Sequence, residues 1–162
     1  MANMTDIRKR HVWLMRNTIE TTQHILANVS QEDATTYRDG GDGWTVLEVL
    51  CHLRDFEVIA LQRAMMMRIQ ETPHLPFFYH ERIVAERNYN GQDLQEVLAD
   101  LMEKRMAFRE WFKSLSAEEW ERGGHHPERP SFSMTDAVMQ VGLHNATHIE
   151  QILRILREKR VG

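Results

Sequence analysis

Apolar residues recur at intervals of three and four along most of this chain, the period of an amphipathic helix. Ile7, His11, Leu14, Thr18, Thr22, Ile25 and Val29 form a first stripe and predict a helix over 5–29. Val46, Val49, Leu50, Leu53, Phe56 and Ala60 form a second, over 45–70. The run RDGGDG breaks the chain before it, and Pro73 and Pro76 end it. Thr45 with Glu48 spells a capping box, in which each side chain satisfies a backbone N–H that the first helical turn leaves unbonded. Asp93 with Glu96 repeats the signature ahead of Leu94, Leu98, Leu101, Arg105, Phe108, Phe112 and Leu115, a third helix over 93–115. Ser116 and Glu119 cap one extra turn, and Ser133 with Asp136 opens a last helix over 134–159. Residues 123–130 (GGHHPERP) read as loop, and no alternating β-run of useful length stands out. The pattern predicts an all-α, up-down-type four-helix bundle with long inter-helix loops, one domain over 1–162.

Residues 71–92 make the longest connection, rich in aromatic side chains (Phe77, Phe78, Tyr79). Structureless loops of this length are uncommon in bundles and are often functional. A short helix near 80–87 plugging one end of the bundle is compatible with that reading.

Composition narrows the function classes. A net charge of −4 gives no electrostatic case for nucleic acid. No stretch reaches the length of apolar sequence that a membrane span needs, and MANMTDIRKRH has no signal-peptide core. The single cysteine, Cys51, lies among apolar residues, which predicts a buried thiol and a reducing, cytoplasmic setting.

Of nine histidines, three share inward faces. His144 and His148 are four residues apart in HNATH, so both project from one side of the last helix, alongside Val141, Ile152 and Ile155. His52 stands beside Val49, Leu53 and Phe56 on the second. Were those helices neighbours, three neutral imidazoles would converge in an apolar core, a fit first shell for one divalent transition metal. The bland alternative is three hydrogen-bonded core histidines without a metal. A zincin is excluded, because its helix needs Glu where this chain has Asn145. A carboxylate-bridged di-iron site is excluded too: only Glu71 and His74 have the Glu-x-x-His spacing, interrupted by Pro73. His125 and His126 are expected exposed in their loop, and Asp55 is expected to be a surface aspartate rather than a partner of His52. Glu48 is expected to serve as a cap.

The segments GWTVLEVLCHLRDFE and HNATHIEQILRIL, with Trp44, Thr45, His52, His144, His148 and Gln151, resemble those of the DinB/YfiT-like superfamily over nearly the whole chain. The resemblance implies a four-helix bundle whose His52, His144 and His148 bind one ion, often nickel, zinc or iron, and frequent homodimers. It also implies transfer of a low-molecular-weight thiol to a small electrophilic substrate, with a metal-dependent hydrolase, or a non-catalytic metal-binding protein, as the alternatives. A dimer is further suggested by Trp13, Met15, Leu153 and Leu156, which have no evident partner within a bundle. The metal is expected to face a cavity roofed by the aromatic 71–92 segment.

Overall fold

The computed structural model describes residues 3–159. Four long helices carry it: α1 (Met4–Leu26), α3 (Val46–Ile69), α5 (Leu94–Lys113) and α7 (Met134–Glu158). Short helices α2 (Gln31–Thr36), α4 (His80–Glu86) and α6 (Ala117–Trp120) fill the connections. The long helices end within three residues of where the hydrophobic period places them. Capping boxes at Thr45/Glu48, Ser116/Glu119 and Ser133/Asp136 are all formed, while Asp93 caps α5 alone, accepting from the Gln95 and Glu96 amides.

Each long helix packs on two others: α1 on α7 and α5, α3 on α5 and α7. Contacts between named residues fix their directions. Arg8 bonds Thr135 and Thr22 bonds Asn145, so α1 and α7 run parallel. Glu57 pairs with Arg105 and Arg54 approaches Asp100, so α3 and α5 also run parallel. Asp39, ahead of α3, meets Gln151 and Arg154, while Phe56 meets His144, so α3 and α7 are antiparallel. The bundle is therefore up-down-down-up, and α5 repeats the direction of α3 only because residues 70–93 travel back along the bundle.

Two apolar clusters occupy the interior. One gathers Leu47, Leu50, Leu53, Leu98, Leu101, Ile152 and Ile155; the other gathers Met15, Phe56, Phe108, Phe112, Val138 and Val141. The stripe expected on α1 is displaced by one residue: Val12, Met15, Ile19 and Leu26 carry the core, whereas Ile7, His11, Leu14 and Ile25 lie at its edge. Met15 is thus fully buried and is no part of an exposed patch, while Trp13 beside it is 58% exposed.

The GGHHPERP segment is not loop. β1 (Gly123–His126) and β2 (Arg129–Ser133) pair antiparallel as a small hairpin, tied to the 71–92 connection by a bridge between His74 and His125. His126, expected exposed, is buried against Phe132. No helix among the described residues is long and apolar enough to cross a membrane.

Candidate metal centre

His52, His144 and His148 converge where the two apolar clusters meet along α3 and α7. His52 Nε2 and His148 Nε2 each stand 3.1 Å from His144 Nε2. His52 is buried; His144 and His148 are half-buried, leaving the group reachable from outside. Trp44 forms one wall, 5.0 Å from His52 and stacked on His148 at 6.3 Å, and Phe56 another, 4.1 Å from His144 between ring centroids.

The neighbours of His148 orient its ring. Asp39 is acceptor-only when ionised, and hydrogen bonds from Arg154 and Gln151 hold it below the usual carboxylate range against the opposing pull of burial. The Gln151 amide must therefore turn its Nε2 to Asp39 (3.1 Å), which leaves Oε1 facing His148 Nδ1 at 2.7 Å. An amide oxygen only accepts, so Nδ1 carries a proton, and in the neutral ring Nε2 is the lone pair that faces His144. Asp39 is held by the loop that looked like a plain break. Its amide donates to the Trp44 carbonyl, and Gly40 (φ 63°) and Gly41 (φ 89°) take left-handed turns open to glycine at no steric cost.

This donor set fits a divalent late transition ion. Ligand nitrogens sharing one ion at about 2.1 Å stand roughly 3.0–3.4 Å apart, from octahedral to tetrahedral angles, and the two 3.1 Å separations fall in that range. His144 Nε2 has two such neighbours, and one proton on it serves only one of them. A cation satisfies both. The Asp39–Gln151–His148 relay is the kind of outer partner that fixes the tautomer of a metal-ligating imidazole.

The carboxylates considered from sequence are committed elsewhere. Glu48 closes the capping box, its Oε2 accepting from the Thr45 amide at 2.8 Å, and also binds Arg38 and Asn90. Asp55 is neither exposed nor bonded to His52; it accepts from Arg54, Arg87 and the Tyr89 hydroxyl. Glu57 is buried against Arg105. Asn145, where a zincin has its Glu, turns to α1 and donates to Thr22. Cys51, behind His52, is fully buried, and burial pushes its thiol up to about 12.

The far end of the 71–92 segment reaches this neighbourhood. Asn90 accepts from the Thr45 hydroxyl at 2.7 Å, and a 470 Å³ polar cavity lies between Trp44, Glu48, Val84, Arg87, Tyr89 and Asn90. Of the aromatic residues of the segment, Phe78 packs under Arg63, Phe77 packs on Tyr79, and Tyr89 lines the polar cavity. Trp44 and Phe56 stand against the histidine rings.

Fold and site together define a four-helix-bundle protein with a three-histidine candidate metal centre. The chain belongs to the DinB superfamily, which residues 14–152 match. It is 26% identical over 149 residues to "Putative metal-dependent hydrolase OB0782" of Oceanobacillus iheyensis, covering 88% of this chain and 84% of that protein. With "Putative metal-dependent hydrolase YfiT" of Bacillus subtilis it shares 29% over 125 residues, 76% of this chain and 68% of that one. The solved YfiT structure, described as an unusual four-helix bundle, superposes with a TM-score of 0.83 at 21% identity, covering 94% of this chain and 87% of that one. A mycothiol-dependent maleylpyruvate isomerase shares the fold at a TM-score of 0.73 and 13% identity, covering 96% and 70% respectively.

Proposed function

We propose that this protein is a divalent-metal-dependent enzyme that transfers a low-molecular-weight thiol to a small electrophilic substrate, with His52, His144 and His148 holding one nickel, zinc or iron ion. The observation that carries the reading is the convergence of three ring nitrogens on a half-open face, one ring oriented by its Nδ1–H bond to Gln151. A divalent ion bound by neutral ligands keeps its charge and lowers the pKa of a thiol or water beside it. Around it, Gln151 and Asp39 hold the His148 ring, and Trp44 and Phe56 keep bulk water from two sides of the group. The half-exposure of His144 and His148 favours a working site over a purely structural one, whose ligand shell would be closed.

Hydrolysis is the second reading, supported by the names of the two bacterial relatives. It calls for a general base, and Glu48, Asp55 and Glu57 are each bonded elsewhere. The thiol reading needs no such base, and the isomerase that shares the fold is named for a thiol. The buried, reduced Cys51 suits a cytoplasmic setting. A homodimer remains part of the proposal, with Trp13 and Leu153 on the outer faces of α1 and α7 as its contact.

The test begins with elemental analysis of untagged protein. Bacillithiol, mycothiol, glutathione and cysteine are then assayed against monochlorobimane, with and without chelator. Metal- and thiol-dependent conjugation that is lost in His148→Ala is expected. Metal-dependent cleavage of ester or amide substrates, indifferent to added thiol, would transfer the assignment to hydrolysis.

A further inference from the structure

Two arginines are buried among the described residues, and only one of them has a carboxylate. Arg105 is paired with Glu57, whereas Arg63, 5% exposed, forms no ion pair among those residues. Its Nε and Nη2 both donate to one acceptor, the Pro76 carbonyl, at 3.2 and 2.7 Å. Its guanidinium lies 5.4 Å over the Phe78 ring. A carbonyl and an aromatic face leave the charge without a counterion, which is costly at this depth. Burial accordingly pulls the Arg63 pKa below its ordinary value, with Glu128 opposing through space and Arg129 adding to the fall.

Pro76 engages only one side of the guanidinium. The end-on fork, one N–H from each of Nη1 and Nη2, is left over, and it matches the two oxygens of a carboxylate. Nη1 has no partner among the described residues, and unlike the Arg109 Nε it is not sealed from solvent. The hairpin brings a second cation to the same place. Arg129 is exposed, lies 5.6 Å over Phe132 and forms no ion pair among the described residues. His126 packs on the same Phe132 ring, and after burial it is Arg63 and Arg129 that lower its pKa, so both charges stand near it. Arg63 also follows His52 by eleven residues of α3. That is about 20° of turn and about 16 Å of rise, so the two residues share one face of the helix.

We infer that Arg63, assisted by Arg129, binds the carboxylate of a small anionic ligand whose aromatic or unsaturated body lies against Phe78 and Phe132. Its place on the histidines' face of α3 makes that carboxylate the far end of the electrophilic substrate. This last step rests on the thiol-transfer reading; the carboxylate site does not.

Benzoate, benzamide and inorganic phosphate titrated into the chelator-treated full chain, with neither metal nor thiol present, test the site by amide NMR. Benzoate is expected to shift the amides of Phe78, His126 and Arg129 and to bind about tenfold more tightly than its neutral isostere benzamide. Arg63→Lys keeps the charge but loses the fork, and is expected to weaken benzoate about tenfold. Arg129→Ala, at an exposed position, is expected to weaken it about threefold; should Arg63→Lys fail to fold, this variant and the shift map decide. No saturable shift, equal affinity for benzamide, tighter binding of phosphate than of benzoate, or shifts confined to other residues overturns the inference. So does benzoate binding that both variants leave unchanged. With metal and thiol restored, Arg63→Lys is expected to raise KM rather than lower kcat for a carboxylate-bearing electrophile. Conjugation indifferent to that carboxylate severs the site from the metal centre, and absence of conjugation refutes the thiol reading alone.

Discussion

Arg105 stands in the apolar series of α5 between Leu101 and Phe108, yet its guanidinium is wholly buried. It donates to Glu57, to the Met15 carbonyl and to the Thr18 hydroxyl, so one side chain joins three helices. Removing one member of a buried ion pair strands the other. Arg105→Ala is therefore expected to cost about 3–5 kcal/mol in urea unfolding, and a loss under about 1 kcal/mol would mean that Glu57 finds another donor. Gln151 acts at the same scale on the candidate metal centre. Gln151→Ala frees the His148 ring and is expected to weaken metal binding about 10–100-fold in chelator competition, without loss of helix. Unchanged affinity would remove the relay from the site. The three histidines were legible because helical periodicity puts each on a stripe whose facing side must be another helix. Asp39 was not: its partner Gln151 lies 112 residues away, and a Gly-rich turn gives no periodic signal. Arg105 was visible as an oddity, but only the fold supplies Glu57 opposite it.

At the scale of elements, the helices and their caps could be read because both are local. The one-residue displacement on α1 has a packing cause. Thr18 and Thr22 return their hydroxyl protons to the carbonyls of Leu14 and Thr18, so their donors are satisfied within the helix and both residues fit either stripe. Gly142 on α7 then lets Leu14 approach closely: a Cβ there would meet Leu14 Cδ2 at 2.9 Å. Gly142→Val is expected to destabilise by about 1–3 kcal/mol through overpacking, read from the denaturation midpoint. The hairpin is not legible in the sequence because its strands are short and its stabilising partners, Pro73 and Leu75, belong to another segment. Its His126 gives the region a pH dependence. Burial, then Arg63 and Arg129, lower its pKa below 6.5 against the opposing charge of Glu128. The unfolded chain therefore binds the proton more readily, and this contribution is present above about 6.5 and fades as pH falls toward the folded value. His11, lowered by burial, acts in the same direction. His126→Gln is expected to flatten the fall in stability between pH 6.5 and 5; an unchanged slope would assign it to other groups.

Across the whole molecule, the up-down-down-up order explains the length of the 71–92 segment. Two consecutive parallel helices require the chain to return the length of the bundle between them, and that return brings Tyr89 and Asn90 beside α3 near Trp44. Hydrophobic pattern gives helices but not their directions, so in the sequence the crossing reads only as a long loop. The same order sets α3 against α7 and brings together histidines 92 residues apart. A metal held there closes a long segment of chain, and it binds the folded bundle but not the unfolded chain, in which the three imidazoles are apart. Linkage then requires that metal raise stability, by about 2.7 kcal/mol at a hundredfold excess over Kd. For a domain of this size that is a rise in Tm of roughly 5–11 °C on adding zinc or nickel to chelator-treated protein. His24→Ala, exposed on α1 and outside the three-histidine group, is expected to keep the rise, and His52→Ala to lose it. A rise of the same size in His52→Ala would place the stabilising ion at other ligands and sink the three-histidine centre.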